Sequence, residues 1–195
     1  MIFAFCIIIS YLLGSIPFGL LITRMAGKGD IRQVGSGNIG ATNVMRAGGF
    51  RLAALTWVLD MAKAIAAVWL GMILGGADMA AWCGFAAIVG HCYPVWLRFR
   101  GGKGISSLFG MILAISPLTF VFSGLNWLVV SLTTGYSSAG AMAAFFLLPF
   151  YGFAISGVVG WAFVATAVLC LWRHRGNIRN LITGTESKIV WKWKK

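Results

Sequence analysis

Carboxylates are nearly missing from this chain. Asp30, Asp60, Asp78 and Glu186 are the only four among 195 residues, and they are widely scattered. Chemistry that rests on clustered aspartates around a divalent cation, as in prenyl or CDP-alcohol transferases, is thereby excluded. Cysteine is also sparse: Cys6, Cys83, Cys92 and Cys170 lie in or beside apolar runs. Their spacing fits neither a metal site nor a secreted disulfide framework, so they read as small hydrophobes. Charge of either sign is rare at 10% of residues against 59% hydrophobic, and residues 104–172 hold no charged side chain at all. A soluble domain of this length is excluded by that balance. The chain reads as an integral membrane protein forming one domain over residues 1–195.

What charge there is, is basic, with a net +12. Membrane surfaces and anionic small molecules fit it better than nucleic acid does. Fifteen of the 16 Lys and Arg residues fall in three stretches, 24–51, 98–103 and 173–195, the exception being Lys63. The positive-inside rule puts these three on the cytoplasmic face, so an even number of crossings separates each pair. Residues 1–22 then form a retained first span with the N-terminus outside, since no basic segment precedes it and Arg24, Lys28 and Arg32 follow. Residues 52–97 hold two spans with Gly75-Gly76-Ala77-Asp78 as the outer turn. Breakers at Ser116-Pro117, at residues 134–138 and at Pro149-Phe150-Tyr151-Gly152 divide 104–172 into four. The expectation is an all-α polytopic protein with seven transmembrane helices and a cytoplasmic C-terminus, five helices being the alternative. The spans near 106–116 and 138–149 are short for a ~30 Å hydrocarbon core.

Three polar clusters interrupt the apolar chain. In the first, Gly35-Ser36-Gly37-Asn38-Ile39-Gly40-Ala41-Thr42-Asn43-Val44-Met45-Arg46, three glycines permit positive φ and close approach to a ligand. Ser36, Asn38, Thr42 and Asn43 supply uncharged hydrogen-bonding groups, and Arg46 adds a planar fork of donors. Freed amides beside an arginine suit a phosphate; a polar turn between spans is the plainer reading. The second cluster runs from Gly90-His91-Cys92-Tyr93-Pro94 to Arg98-Phe99-Arg100-Gly101-Gly102-Lys103-Gly104. Glycines and a lysine before a helix N-terminus make an anion site, although no nucleotide P-loop pattern is present. His91 alone reads as a hydrogen-bonded interface residue. The third cluster, residues 173–186, places His174 and Asn177 on one helix face.

Three further features carry open readings. Gly14-Ser15-Ile16-Pro17-Phe18-Gly19 breaks the first span, and close helix packing is its simplest explanation. Asp60 lies about 13 Å into the bilayer from Arg51, with Lys63 one turn further. That pair is either a counter-ion for Arg46 or Lys103 or a self-contained i,i+3 pair. The tail from Lys188 to Lys195, with Trp191 and Trp193, reads as an interfacial anchor.

Taken together and in this order, the segments resemble the bacterial acyl-phosphate:glycerol-3-phosphate acyltransferase family. The resemblance rests on GSIPFG at 14–19, SGNIGATNVMR at 36–46, LDMAK at 59–63, GHCYP and FRGGKG within 90–104, and RHRGNIRNLITGTE at 173–186. Ser106-Ser107, Asn180 and the basic tail depart from the family pattern. The resemblance implies a seven-helix fold in the bacterial cytoplasmic membrane. It further implies acyl transfer from acyl phosphate to the sn-1 hydroxyl of glycerol 3-phosphate, without cofactor or metal, giving lysophosphatidate and phosphate. An upstream enzyme that forms acyl phosphate is an implied partner, alongside membrane lipid; nucleic acid is not.

The motif match implies Ser36, Arg46, Lys103, His174 and Asn177 as catalytic residues. Gly35, Gly37, Asn38, Gly40, Thr42, Asn43, Gly101, Gly102, Gly104 and Ser138 would bind substrate, while Glu186 reads as a local cap or pair. Either His174 or the departing phosphate takes the hydroxyl proton. Rival classes fare worse. A phosphate-ester transporter wants midplane polar groups in both halves. A soluble-facing acyl-CoA enzyme wants His-x₄-Asp, which neither histidine provides.

Overall fold

The structure is a computed structural model that describes residues 1–189; residues 190–195, and with them most of the expected interfacial anchor, lie outside the described residues. It is all-α, with no strand among the described residues. Helix α1 (Ile2–Gly14) is followed by the Pro17 break and by α2 (Phe18–Met25). A loop leads to α3 (Ala41–Gly48) and then to the long α4 (Phe50–Cys92). After a second loop come α5 (Ile105–Ile115), α6 (Pro117–Thr134), α7 (Ser137–Phe146), α8 (Leu148–Ile155), α9 (Gly157–Arg173) and α10 (Arg175–Ile182).

Helix α4 is two antiparallel limbs rather than one rod. At Gly76 the backbone turns to φ 76°, ψ −168°, where glycine alone is unstrained. Beyond that point Gly71 lies against Ala80, Gly84 against Val68, and Lys63 meets His91 across the seam. The expected outer turn at residues 75–78 is therefore present. Helix α1 lies alongside the second limb, with Gly14 against the Ala87 backbone and Gly90 against that of Tyr11. In a bilayer, small residues at such seams let helices approach until dispersion and packing hold them. Helix α5 runs along the first limb, where Gly110 meets Met61, and Thr166 of α9 packs on Met111 of α5. Around this seam Val68, Ile88, Leu108, Ile112, Phe145, Leu148 and Phe163 form the buried core.

Helix boundaries follow local chemistry. Ser116 and Ser156 cap α6 and α9, each accepting a hydrogen bond from the amide three residues on, at 3.2 and 3.1 Å. Gly135 ends α6 at φ 80°. Pro149 marks a break between α7 and α8, sitting in the first turn of α8, where its missing N–H costs nothing. Across that break the apolar stretch continues from Ser137 to Ile155, 19 residues in all, so of the two spans expected to be short α5, with 11 residues, stays so. Among the described residues four helical stretches, Ile2–Met25, Phe50–Leu97, Pro117–Thr134 and Ser137–Ile155, are by length and composition able to cross a membrane, or five if α9 and α10, bent by 55°, count as one. Trp69, Ile73, Val129, Leu132 and Trp161 are among many large apolar side chains left on the outer surface, as lipid contact requires. The protein is a multi-pass membrane protein.

The loops fall at two ends of the bundle. Ser156 Oγ lies 3.4 Å from Asp78 Oδ1 at one end. At the other, Asp30, Arg32, Gln33 and Gly37 share a cavity of about 480 Å³ with Phe99, Arg100, Gly101 and Arg173. The described parts of the three basic stretches therefore meet at a single end.

Candidate active site

The first cluster is built around Asn43, which is 1% exposed. Its Nδ2 donates to the carbonyls of Ile31 (3.1 Å), Val34 (2.8 Å) and Asn38 (2.8 Å), and its Oδ1 accepts from Ser36 N–H at 3.0 Å. Asn43, expected from the resemblance to meet substrate through its backbone, spends both ends of its side-chain amide on the loop backbone. The Gly40 expectation also changes. Gly35 and Gly37 do take positive φ, at 57° and 68°. Gly40, at φ −78° and ψ 163°, is instead the N-cap of α3, its amide bonded to Asn38 Oδ1 at 3.0 Å. With these groups engaged, Ser36, Thr42 and Arg46 remain exposed residues of the loop, and the Arg46 stem lies over Gly35.

The second cluster is pinned on both sides. Gly101 and Gly102 N–H donate to the Cys92 and His91 carbonyls at 3.1 and 2.9 Å. Arg173, which the sequence reading did not single out, reaches the Gly102 carbonyl through Nε and the Gly101 carbonyl through Nη2, both at 2.9 Å. Its guanidinium stands 5.0 Å from the Tyr93 ring centre. Gly104 then caps α5 at φ 89°, leaving the first-turn amides without helical partners. A Cβ at Gly104 would crowd Ile88, Cys92 and Cys170, so this turn is closely packed.

The third cluster supplies the join. Lys103 Nζ donates to Asn177 Oδ1 at 2.5 Å. Asn177 Nδ2 donates to Glu186 Oε1 at 2.6 Å, and Ser138 Oγ donates to the same oxygen at 2.7 Å. Glu186 is thus a bridge between Ser138 and Asn177, 48 and nine residues away, where sequence suggested only a local pair. Thr42 Oγ1 lies 3.5 Å from Ser137 Oγ, linking the first cluster to the same turn. His174 is 2% exposed at the α9–α10 bend, and its Nδ1 lies 2.7 Å from the Cys170 carbonyl. A carbonyl can only accept, so Nδ1 carries a proton, and burial pulls the imidazole pKa down to about 4, which leaves the ring neutral with Nε2 as its acceptor. Burial, with the Arg173 and Arg46 charges nearby, pulls the Lys103 ammonium below the ordinary lysine range, and Glu186 opposes that shift. Away from the cluster, Asp30 is tied to Arg24 and Arg32, and the Arg32 guanidinium holds its carboxyl well below the usual range. Asp60 contacts Lys63 and His91, not Arg46 or Lys103, so the self-contained reading of that pair stands, enlarged by the histidine.

Such a site, with Arg46, Lys103 and Arg173 against one carboxylate and with free amides, suits oxyanions and offers His174 as a neutral base. The model of the family described as glycerol-3-phosphate acyltransferase matches residues 4–184. Proteins named glycerol-3-phosphate acyltransferase from Rhizobium etli and Agrobacterium fabrum are each 47% identical to this chain, over 93% and 95% of its length and 89% and 91% of theirs. A crystal structure of PlsY (YgiH), an integral membrane glycerol 3-phosphate acyltransferase in its glycerol 3-phosphate form, superposes with a TM-score of 0.91 at 36% identity over 96% of both chains. Its lysophosphatidic acid form gives 0.88 at the same identity, over 95% of this chain and 94% of that one. With likeness of that depth running through all three clusters, the chain belongs to the glycerol-3-phosphate acyltransferase family.

Proposed function

We propose that this enzyme transfers a fatty acyl group from acyl phosphate to the sn-1 hydroxyl of glycerol 3-phosphate, directly and without a metal. The acceptor hydroxyl oxygen attacks the acyl carbonyl carbon, the bond from that carbon to the phosphate oxygen breaks, and lysophosphatidate and phosphate leave. A mixed anhydride already has a good leaving group, so positioning and charge neutralisation carry much of the rate. The observation that carries the reading is the contact of Lys103 with Asn177, which joins the glycine-lysine loop to the third cluster beside Ser138 and Glu186.

In this reading the Ser36 hydroxyl, with those amides of the glycine-rich bend that the loop does not already use, holds the donor phosphate; the Ser36, Gly37 and Gly40 amides are spent within the loop. Arg46 and Lys103 neutralise phosphate on donor, acceptor or both, and Asn177 with His174 orients glycerol phosphate. The hydroxyl proton has two acceptors, His174 Nε2 and the departing phosphate. Asn43 acts through the shape of the first loop, and Arg173 through the second. We further take the fold as one domain with seven crossings in the bacterial cytoplasmic membrane: α1, the two limbs of α4, α5, α6, α7 with α8, and α9. The end that carries the site faces the cytoplasm and the N-terminus lies outside. An enzyme that forms acyl phosphate must supply the donor.

The test is donor choice. Purified protein offered glycerol 3-phosphate should turn over acyl phosphate and not acyl-CoA, in the presence of EDTA as well as in its absence. Turnover of acyl-CoA alone, or a loss in EDTA that Mg²⁺ restores, would overturn the reading.

A further inference from the structure

The reaction described above leaves unused a cluster of charge buried between the limbs of α4. The Asp60 and Lys63 side chains are each 2% exposed, with Nζ 2.7 Å from Oδ1. Lys63 also donates to the Ile16 carbonyl at 2.8 Å, in the break ahead of Pro17. His91 Nδ1 lies 3.1 Å from Lys63 Nζ and 3.6 Å from Asp60 Oδ1. An ammonium only donates, so Nδ1 accepts from it and the imidazole proton sits on Nε2. Replacing a buried ion pair by apolar groups of similar volume is often neutral or stabilising, so stability alone is a poor reason for this one.

What the cluster touches gives a better reason. Gly102 N–H donates to the His91 carbonyl, and a Cβ on Gly102 would run into Nε2 and both of its neighbouring ring carbons. Those three imidazole atoms are the nearest neighbours at that spot, and Gly102 is not among the glycines with positive φ. Its bareness therefore answers to the His91 ring and not to a backbone requirement. On the other side, the Asp60 carbonyl accepts Ser107 Oγ at 3.1 Å, in the first turn of α5.

We infer that Asp60, Lys63 and His91 are positioning residues for the loop at residues 101–104. The ion pair fixes the imidazole, the imidazole sets the place of Gly102, and Gly102 sets where Lys103 meets Asn177 and the acceptor phosphate. This inference rests on the proposed reading of that loop as a phosphate site.

The test is steady-state kinetics on purified full-length variants, with KM followed separately for each substrate. Asp60→Asn/Lys63→Met removes both charges together and leaves no lone buried ion. It should melt close to the wild type, yet raise KM for glycerol 3-phosphate about tenfold, with KM for acyl phosphate changed less than about twofold. Wild-type values for both, or an equal rise in both, would overturn the positioning role. If that variant does not fold, a second cycle decides. Gly102→Ala alone should raise the same KM about tenfold or more, and His91→Ala/Gly102→Ala should fall back to within about threefold of His91→Ala. Additive losses would sink the inference. Lys103→Gln separates the two failures: if it leaves KM for glycerol 3-phosphate unchanged, the phosphate-loop reading falls instead.

Discussion

At the scale of single residues, Ser36 and Asn43 divide the work of the first loop. Ser36 has no basic neighbour in sequence, and as a nucleophile it would need one. As a phosphate ligand it needs only its hydroxyl, and Ser36 is an exposed residue of the loop. Ser36→Ala should therefore lower kcat/KM by about 10²-fold or more, as for a lost oxyanion donor, with an unchanged melting temperature. Ser36→Thr should retain part of the activity, and Ser36→Cys should accumulate no thioester detectable by mass spectrometry. A trapped acyl-enzyme would contradict the ligand role. Asn43→Asp should behave differently. It turns a donor facing three carbonyls into an acceptor, so stability should drop by about 1–3 kcal/mol along with activity. Sequence named both residues, but the side-chain bonds of Asn43 to the loop were not legible, because an asparagine that touches ligand and one that ties a loop look the same in a motif. Gly40 was misread for a related reason: a glycine's presence does not reveal the sign of its φ.

Among elements, α9 braces the second loop. Its last residue, Arg173, holds the carbonyls of Gly101 and Gly102 in two-pronged fashion and covers Tyr93. Arg173→Leu should loosen this loop and raise KM for glycerol 3-phosphate about tenfold. Arg173→Lys should recover only part, since one ammonium cannot match the planar fork. Equal kinetics for wild type and Arg173→Leu would remove the brace from the account. This contact was not legible in sequence, where Arg173 is one basic residue in a run of several and its partner lies more than 70 positions away. The helix ends were legible where a residue fixes the geometry, as at Ser116-Pro117 and Gly135. Pro149 marked the α7–α8 boundary but not the end of the apolar stretch, because a proline beside one helix end can equally start the next helix.

For the whole molecule, the basic stretches foretold what the structure displays at one end of the bundle. Charge asymmetry is a global property that survives translation into topology, whereas the pairings of Glu186 with Ser138 and Asn177 depend on tertiary contacts no spacing encodes. The burial of Asp60 and Lys63 was readable, but the third member, His91, comes from the other limb of α4. Reporters fused at residue 28, at residue 101 and at the C-terminus should all face the cytoplasm, and one at Asp78 should face outward. Position 101 and the C-terminus on opposite sides would rule out the seven-crossing arrangement.

The central claim, direct transfer between two phosphorylated substrates held at once by the joined clusters, is tested most directly by initial rates over a matrix of acyl phosphate and glycerol 3-phosphate concentrations. A ternary complex predicts reciprocal plots that intersect. Parallel lines, the pattern of an acyl-enzyme that forms before the acceptor binds, would contradict it.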